Sequence, residues 1–228
     1  THKIMKTKDK FIRHDHNHDG LDRRGFLKCM AWAGTGMVWT VSGGLLGSSL
    51  LPSRAGAADV TKGSFSFVQI SDSHIGFHKE PNPDVVATLR AALAKINAQP
   101  DTPDFLLHTG DLTHLSKPEE FDTLSGVMQE AKAAHTFYVP GEHDVIGDNG
   151  AEFFRRFGQH QSSGGWYSFD HRGVHFVGLV NVLNLKAGGF GSLGADQLTW
   201  LKKDLASRSA ETPVVVFAHM PLWQLYPQ

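Results

Sequence analysis

The sequence predicts an α/β fold, and three observations carry that expectation. From Phe65 onward, short apolar runs alternate with amphipathic stretches. Four of the apolar runs lead straight into clusters of Asp, Glu and His. No internal repeat and no Pro/Ser-rich linker interrupts residues 58–228, so this stretch reads as one domain. Apolar runs of strand length between helical patterns are what strands and helices sharing one core produce.

In chain order, strands are expected at 65–70, 105–109, 136–139, 166–170, 174–180 and 214–218. Helices are expected at 84–98, bounded by Pro83 and Pro100, and then at 119–134, 151–157 and 195–207. In the last of these, Leu198, Leu201 and Leu205 recur at helical spacing on one face, which leaves Lys202, Lys203 and Asp204 to solvent.

Residues 1–57 read as a leader. They carry nine Lys/Arg against four Asp, which leaves thirteen basic and nineteen acidic residues in 58–228, a net charge of −6. An acidic body with no basic stripe is poorly suited to gripping a nucleic-acid backbone. The run Asp22-Arg23-Arg24-Gly25-Phe26-Leu27-Lys28 precedes a Gly-rich apolar stretch from Cys29 to Leu51, and Ala55-Gly56-Ala57 precedes Ala58. This arrangement resembles a twin-arginine signal peptide: the arginine pair engages the twin-arginine translocase, the apolar stretch enters the membrane, and small residues fit the signal peptidase. The glycines at 34, 36, 43, 44 and 47 make the stretch weakly hydrophobic for a permanent span. Cleavage before Ala58 is therefore expected, with a retained anchor as the alternative, and the mature protein is expected to be periplasmic or secreted. Cys29 is the only cysteine and lies in the leader, so the body forms no intramolecular disulfide. The segment Asp15–Gly20 copies the first half of a calcium loop, but its twelfth position is Phe26 where a bidentate Glu is needed.

The chemistry lies where apolar strands end. Ile70 leads into Ser71-Asp72-Ser73-His74, Thr109 into Gly110-Asp111, Gly141 into Glu142-His143-Asp144, and Ala218 into His219. Residues just beyond the carboxyl ends of strands in an α/β sheet share one rim, where ligands bind. Carboxylates and neutral imidazoles meeting there suit Zn, Mn or Fe. The glycines at 110 and 141 let the backbone turn sharply beside the ions. His108 reads as a packed strand residue, and His78, His135, His160, His171 and His175 as surface or structural. Arg155 and Arg156 read as a solvated helix face.

These blocks, in this order, resemble the calcineurin-like metallophosphoesterases, whose pattern is D-x-H, G-D, G-N-H-[DE], an isolated His and G-H-x-H. Residues 194–205 are also similar to that family's G-x-x-Q-x-x-W-L helix, and the resemblance runs from about Phe65 to the end. It implies two packed mixed β-sheets flanked by helices, a four-layer αββα sandwich. It further implies two divalent or mixed-valence metal ions (Fe, Mn or Zn), with Asp72 and His74 on the first, Asp111 bridging both, and Glu142 and His219 on the second. His114 stands three residues after Asp111, where purple acid phosphatases place a metal-binding Tyr, and is expected as a further ligand of the first ion. A hydroxide shared by the ions would attack phosphorus, while His143, its ring held by Asp144, stabilises the transition state or protonates the leaving group.

Two departures qualify the match. Glu142 replaces the family's Asn and adds negative charge to the second metal position. The G-H-x-H block is missing, and with nine residues after His219 a C-terminal truncation is expected. The reading is thus an exported hydrolase of small or medium phosphate esters, mono- or diester. The competing class is a metal- or phosphate-binding module without turnover.

Overall fold

The computed structural model describes residues 36–42, 45–50, 63–158, 164–183 and 191–221. Among them, β1 (Met37–Ser42) and β2 (Leu45–Leu50) form a hairpin, followed by β3 (Phe65–Ile70), α1 (Val85–Asn97), β4 (Phe105–His108), α2 (Pro118–Met128) and β5 (Thr136–Tyr138). A 3₁₀ turn (Glu142–Val145) and α3 (Ala151–Phe157) lead to β6 (Tyr167–His171), β7 (Val174–Gly178), α4 (Ala195–Ala206) and β8 (Val214–Phe217). One sheet has the order β2-β1-β3-β4-β5, with β3, β4 and β5 parallel, and the other the order β6-β7-β8. Both are mixed, and helices flank them, as expected.

The alternation of side chains along β3 and β4 builds the layers. Phe65, Phe67, Phe105 and Leu107 turn inward to meet Tyr167, Phe176 and Phe217 of the second sheet. Val68, Ile70 and Leu106 turn outward to meet Val85, Leu89, Leu93 and Ile96 of α1, Phe121 and Leu124 of α2, and Phe153 of α3. The contact between the sheets is largely aromatic. Phe137 stacks on Phe169 at 3.8 Å, and Phe176 meets Phe105 at 5.2 Å and Phe67 at 5.4 Å edge to face. Removing a ring such as that of Phe176, fully buried here, costs about 3–5 kcal/mol. Arg172 and Gly173 both take positive φ (47° and 83°), the two-residue turn that matches strand twist, and so close β6 onto β7.

Two expectations are corrected. The second helix stops at Met128, short of the expected 134, because Asn97 at the end of α1 captures the following turn: its amide donates to Glu130 O (2.7 Å) and its carbonyl accepts from Lys132 N (2.9 Å). On α4 the sheet-facing side is rotated from the leucine stripe. Gln197 is its buried residue, Asp204 bonds Ser168 and His175, and Leu198 and Leu205 are exposed. Polar groups on the outer face of β6 and β7 need partners, and this outweighs burial of two leucines. Within the apolar stretch of the leader, β1 pairs antiparallel with β3, and β2 pairs with β1. Trp39 holds β1 there, stacking on Phe67 at 6.1 Å and donating its indole N–H to Gln69. The arginine pair at 23–24, the His-rich segment 14–20, the small residues 55–57 and most of the 186–193 loop lie outside the described residues. No helix among the described residues is long and apolar enough to cross a membrane.

Candidate metal centre

Parallel pairing of β3, β4 and β5 brings the loops after Ile70, His108 and Tyr138 to one rim, and His219 follows β8. Asp72, His74 and Asp111 all have left-handed backbones, with φ of 58°, 43° and 51°. Each such residue costs on the order of 1–3 kcal/mol and persists only where its surroundings over-determine it. A ladder of backbone bonds does so: Asp72 N to Gly110 O, His74 N to Asp111 O, and Ile75 N to Leu112 O, all within 3.0 Å. Gly110, at φ 110°, leaves no room for a side chain, since a Cβ would strike His219 and the backbone of Gly141. At Gly141 a Cβ would strike Asp111, so both glycines form a close cradle around that carboxylate.

Asp111 sits at the centre. Its Oδ1 accepts from His143 N (2.9 Å), while Oδ2 lies 3.5 Å from both His74 Nε2 and His219 Nε2. Asp72 Oδ1 is 3.9 Å from His74 Nε2, and Glu142 Oε2 is 2.9 Å from His219 Nε2. An ion about 2.0–2.2 Å from each donor spaces its ligand atoms roughly 3.0–3.6 Å apart. Buried polar atoms point the same way: both ring nitrogens of His74 and Nδ1 of His114 have no hydrogen-bond partner. The donor atoms of Asp72, Asp111 and His219 lie within 4.8 Å of one another, as do those of His74, His114 and His143. Carboxylates mixed with imidazoles fit Zn, Mn or Fe.

Protonation follows from burial and crowding. Burial lowers His74 and His114 to about 4, so both are neutral and ready to donate a lone pair. Burial pushes Asp72 up to about 6, with Asp111 and Glu142 adding to the rise. Burial also opposes ionisation of Asp111, yet His219, His143 and His74 hold it well below the usual carboxylate range. For His219, burial is outweighed by Asp111 and Glu142, which raise its pKa well above 6.5. His143 is raised in the same way by Asp111, the carbonyl of His114 and Glu142.

The expected pairing of Asp144 with the His143 ring does not occur. His143 Nδ1 donates to His114 O at 2.6 Å. Asp144, fully buried, accepts instead from Leu112 N, Thr113 N, Thr113 Oγ1 and Gly141 N, at 2.8 to 3.0 Å. Successive side chains of a 3₁₀ turn project about 120° apart, so neighbours in sequence face different partners. Asp144 ties the loops after β4 and β5 together. Burial, reinforced by Asp111, raises it to about 6 against three backbone donors.

The structure therefore brings Asp72, His74, Asp111, His114, Glu142, His143 and His219 together. Arg155 and Arg156 pair with Glu152, and Arg156 also with Asp122, on the surface. His175 bonds Asp170 and Asp204, and His171 bonds Asp104, both away from the rim. Sequence reasoning missed the residues that hold His219. Thr109 O accepts from its Nδ1 (2.8 Å), Asn181 bonds both backbone groups of Met220, and Gln197 bonds both backbone groups of Val180. The Gln of the G-x-x-Q-x-x-W-L stretch was the one signal available. His108, read as a packed strand residue, is fully buried and bonded to Ser73.

A family profile described as calcineurin-like phosphoesterase matches residues 65–228. Among curated proteins, a probable glycerophosphodiester phosphodiesterase (GpdQ) of Arcobacter nitrofigilis is 26% identical over 166 residues, which cover 68% of this chain and 56% of that protein. A probable cyclic nucleotide phosphodiesterase of Fibrobacter succinogenes is 25% identical over 154 residues, covering 67% and 56%. The chain thus spans little more than half the length of these relatives. Among solved structures, a purple acid phosphatase from yellow lupin seeds superposes with a TM-score of 0.48 and 14% identity over 82% of this chain and 37% of that one.

Proposed function

The chain belongs to the calcineurin-like phosphoesterase family, and on that premise we propose that it is an exported, dinuclear-metal phosphodiesterase acting on esters of small or medium size. The observation that carries this reading is the convergence of Asp72, His74, Asp111, Glu142 and His219 on one rim, with Asp111 Oδ2 midway between two imidazoles. The names of the two curated relatives favour a diester over a monoester. The −6 charge of residues 58–228 favours a small substrate over nucleic acid.

In this reading Asp72, His74 and His114 would hold the first ion, Glu142 and His219 the second, and Asp111 would contribute to both. When bound, the ions supply an acidified water as the attacking group and positive charge against the phosphoryl oxygens. His143 serves the leaving group. With Nδ1–H fixed on the carbonyl of His114, its Nε2 edge gives a proton to the departing oxygen as the P–O bond to it breaks and the P–O bond to water forms. Asp111, the carbonyl of His114 and Glu142 raise its pKa, which favours the protonated ring.

Export rests on residues 22–28 and 55–57 and on passage of a folded protein through the twin-arginine translocase. Processing before Ala58 would remove the β1–β2 hairpin and leave β3 as the sheet edge, with the product periplasmic or secreted. Replacing both arginines (R23K with R24K) is expected to hold the precursor inside the cell; unchanged export would refute that part.

The activity is tested by release of p-nitrophenol from bis(p-nitrophenyl) phosphate and from p-nitrophenyl phosphate, with Mn²⁺, Zn²⁺ or Fe²⁺ supplied to the longest natural form. Faster release from the diester supports the proposal. Glu142, a third carboxylate in the cluster, favours the alternative of a metal-binding module, which predicts metal uptake with no release from either ester.

A further inference from the structure

We propose that His108 is a positioning residue of the metal centre, acting through Ser73 to fix the turn that presents Asp72 and His74. The proposal rests on reading those two residues as metal ligands. His108 closes β4 three residues before Asp111 and is fully buried; its Nε2 lies 2.9 Å from Ser73 Oγ. Ser73 Oγ also donates to Leu112 O at 2.9 Å. A hydroxyl has one proton, and a carbonyl only accepts. With that proton on Leu112 O, Ser73 accepts from His108, so the imidazole carries its hydrogen on Nε2.

The resulting chain joins the end of β4, the turn at 72–74 and the turn at 110–112 through one side chain. Ser73 stands between two left-handed residues, Asp72 (φ 58°) and His74 (φ 43°), where the backbone has most to gain by relaxing. The backbone ladder fixes the peptide groups of Asp72 and His74, and the Ser73 bonds fix the residue between them. His108 Nδ1 is buried without a hydrogen-bond partner. An aliphatic side chain would fill the same space, against the Tyr138 ring at 6.2 Å, without that unpaired nitrogen. The imidazole therefore makes sense here for the bond it gives Ser73.

The test is Zn²⁺ affinity by chelator competition, with melting temperature measured in parallel, for the unaltered protein, S73A, H108L, H108Q and S73A combined with H108L. Changes in the residues that orient ligands typically weaken metal binding by about 10–100-fold. S73A and H108L are each expected to do so, and the combination to be no weaker than either, because both remove one connection. H108Q, whose amide can donate from nearly the same place, is expected to restore most of the affinity. Should H108L fail to fold, S73A and H108Q carry the comparison. Wild-type affinity in S73A, or losses that add in the double variant, would overturn the proposal even with the metal centre intact. An unaltered protein that takes up no Zn²⁺, Mn²⁺ or Fe²⁺ would instead refute the ligand reading beneath it.

Discussion

His219 presents Nε2 to Glu142 Oε2 across 2.9 Å while its Nδ1 is already bonded to the carbonyl of Thr109. A neutral imidazole in that position points a lone pair at a carboxylate, an arrangement that is repulsive until a proton or a metal ion stands between them. The family's Asn at this position would leave the same geometry with one fewer negative charge. Moving or removing a unit charge at about 4 Å is worth about 1 kcal/mol in water and about 4 kcal/mol near a protein surface.

Glu142→Asn is therefore expected to act in two directions. Affinity for the second metal ion falls by about tenfold, equivalent to about 1.4 kcal/mol. With metal saturating, KM for bis(p-nitrophenyl) phosphate falls, because less negative charge opposes the anionic ester. Steady-state kinetics across metal concentrations check both, and a raised KM at saturating metal would contradict this assignment of Glu142.

Adjacent residues His143 and Asp144 are expected to respond differently to substitution. His143→Ala should lower kcat by about 10²–10⁴-fold, the usual worth of a proton donor, with little change in melting temperature. Asp144→Ala leaves Leu112, Thr113 and Gly141 N–H groups buried without a partner, at about 1–3 kcal/mol each. Its principal effect should be loss of folding stability. Calorimetry beside kinetics distinguishes the two; a stable, inactive Asp144→Ala protein would restore the catalytic role expected from sequence.

The pH dependence of stability should reverse sign with metal. Without metal, His219 has a folded pKa well above 6.5, so its contribution is fully present below 6.5 and is lost as pH rises through the folded value. Asp72, raised to about 6 by burial, acts in the same direction: its contribution is present below 3.8 and lost as pH rises through about 6. His74, His114 and His108, lowered by burial to about 4, 4 and 3, act in the opposite direction up to 6.5, so metal-free protein should melt at progressively lower temperature only above about pH 6.5, where His219 alone of these groups still titrates. Metal-loaded protein should gain stability over that range, because bound metal displaces the same protons. Melting curves from pH 5 to 9, with a chelator and with Zn²⁺, provide the check.

That Asp72, His74, Asp111, Glu142 and His219 gather on one rim was legible in the sequence because each follows an apolar strand, and Phe65–Ile70 and Ala151–Phe157 fall where the pattern put them. The four-layer architecture came with the family resemblance. What escaped depends on contacts made through space. Neighbours in sequence suggested that Asp144 holds His143, but a 3₁₀ turn sends the two apart. Helical spacing placed Leu198, Leu201 and Leu205 toward the core, whereas the sheet's polar outer face called for Gln197 and Asp204. Residues 37–42 read as part of a weakly apolar stretch of the leader, and nothing in their spacing announces that they pair with β3, where Trp39 finds Phe67. His108 looked like one more strand residue, since nothing in its spacing announces Ser73 as its partner 35 positions away.

The central claim is that Asp111 joins two metal ions on this rim, and elemental mass spectrometry of the protein and of Asp111→Asn tests it most directly. Residues 58–228 and the longest natural form should both be measured after loading with Fe, Mn or Zn. Nearly two equivalents in the longest form, lost in Asp111→Asn, is the result expected; no bound transition metal in that form, or undiminished metal in Asp111→Asn, would contradict it.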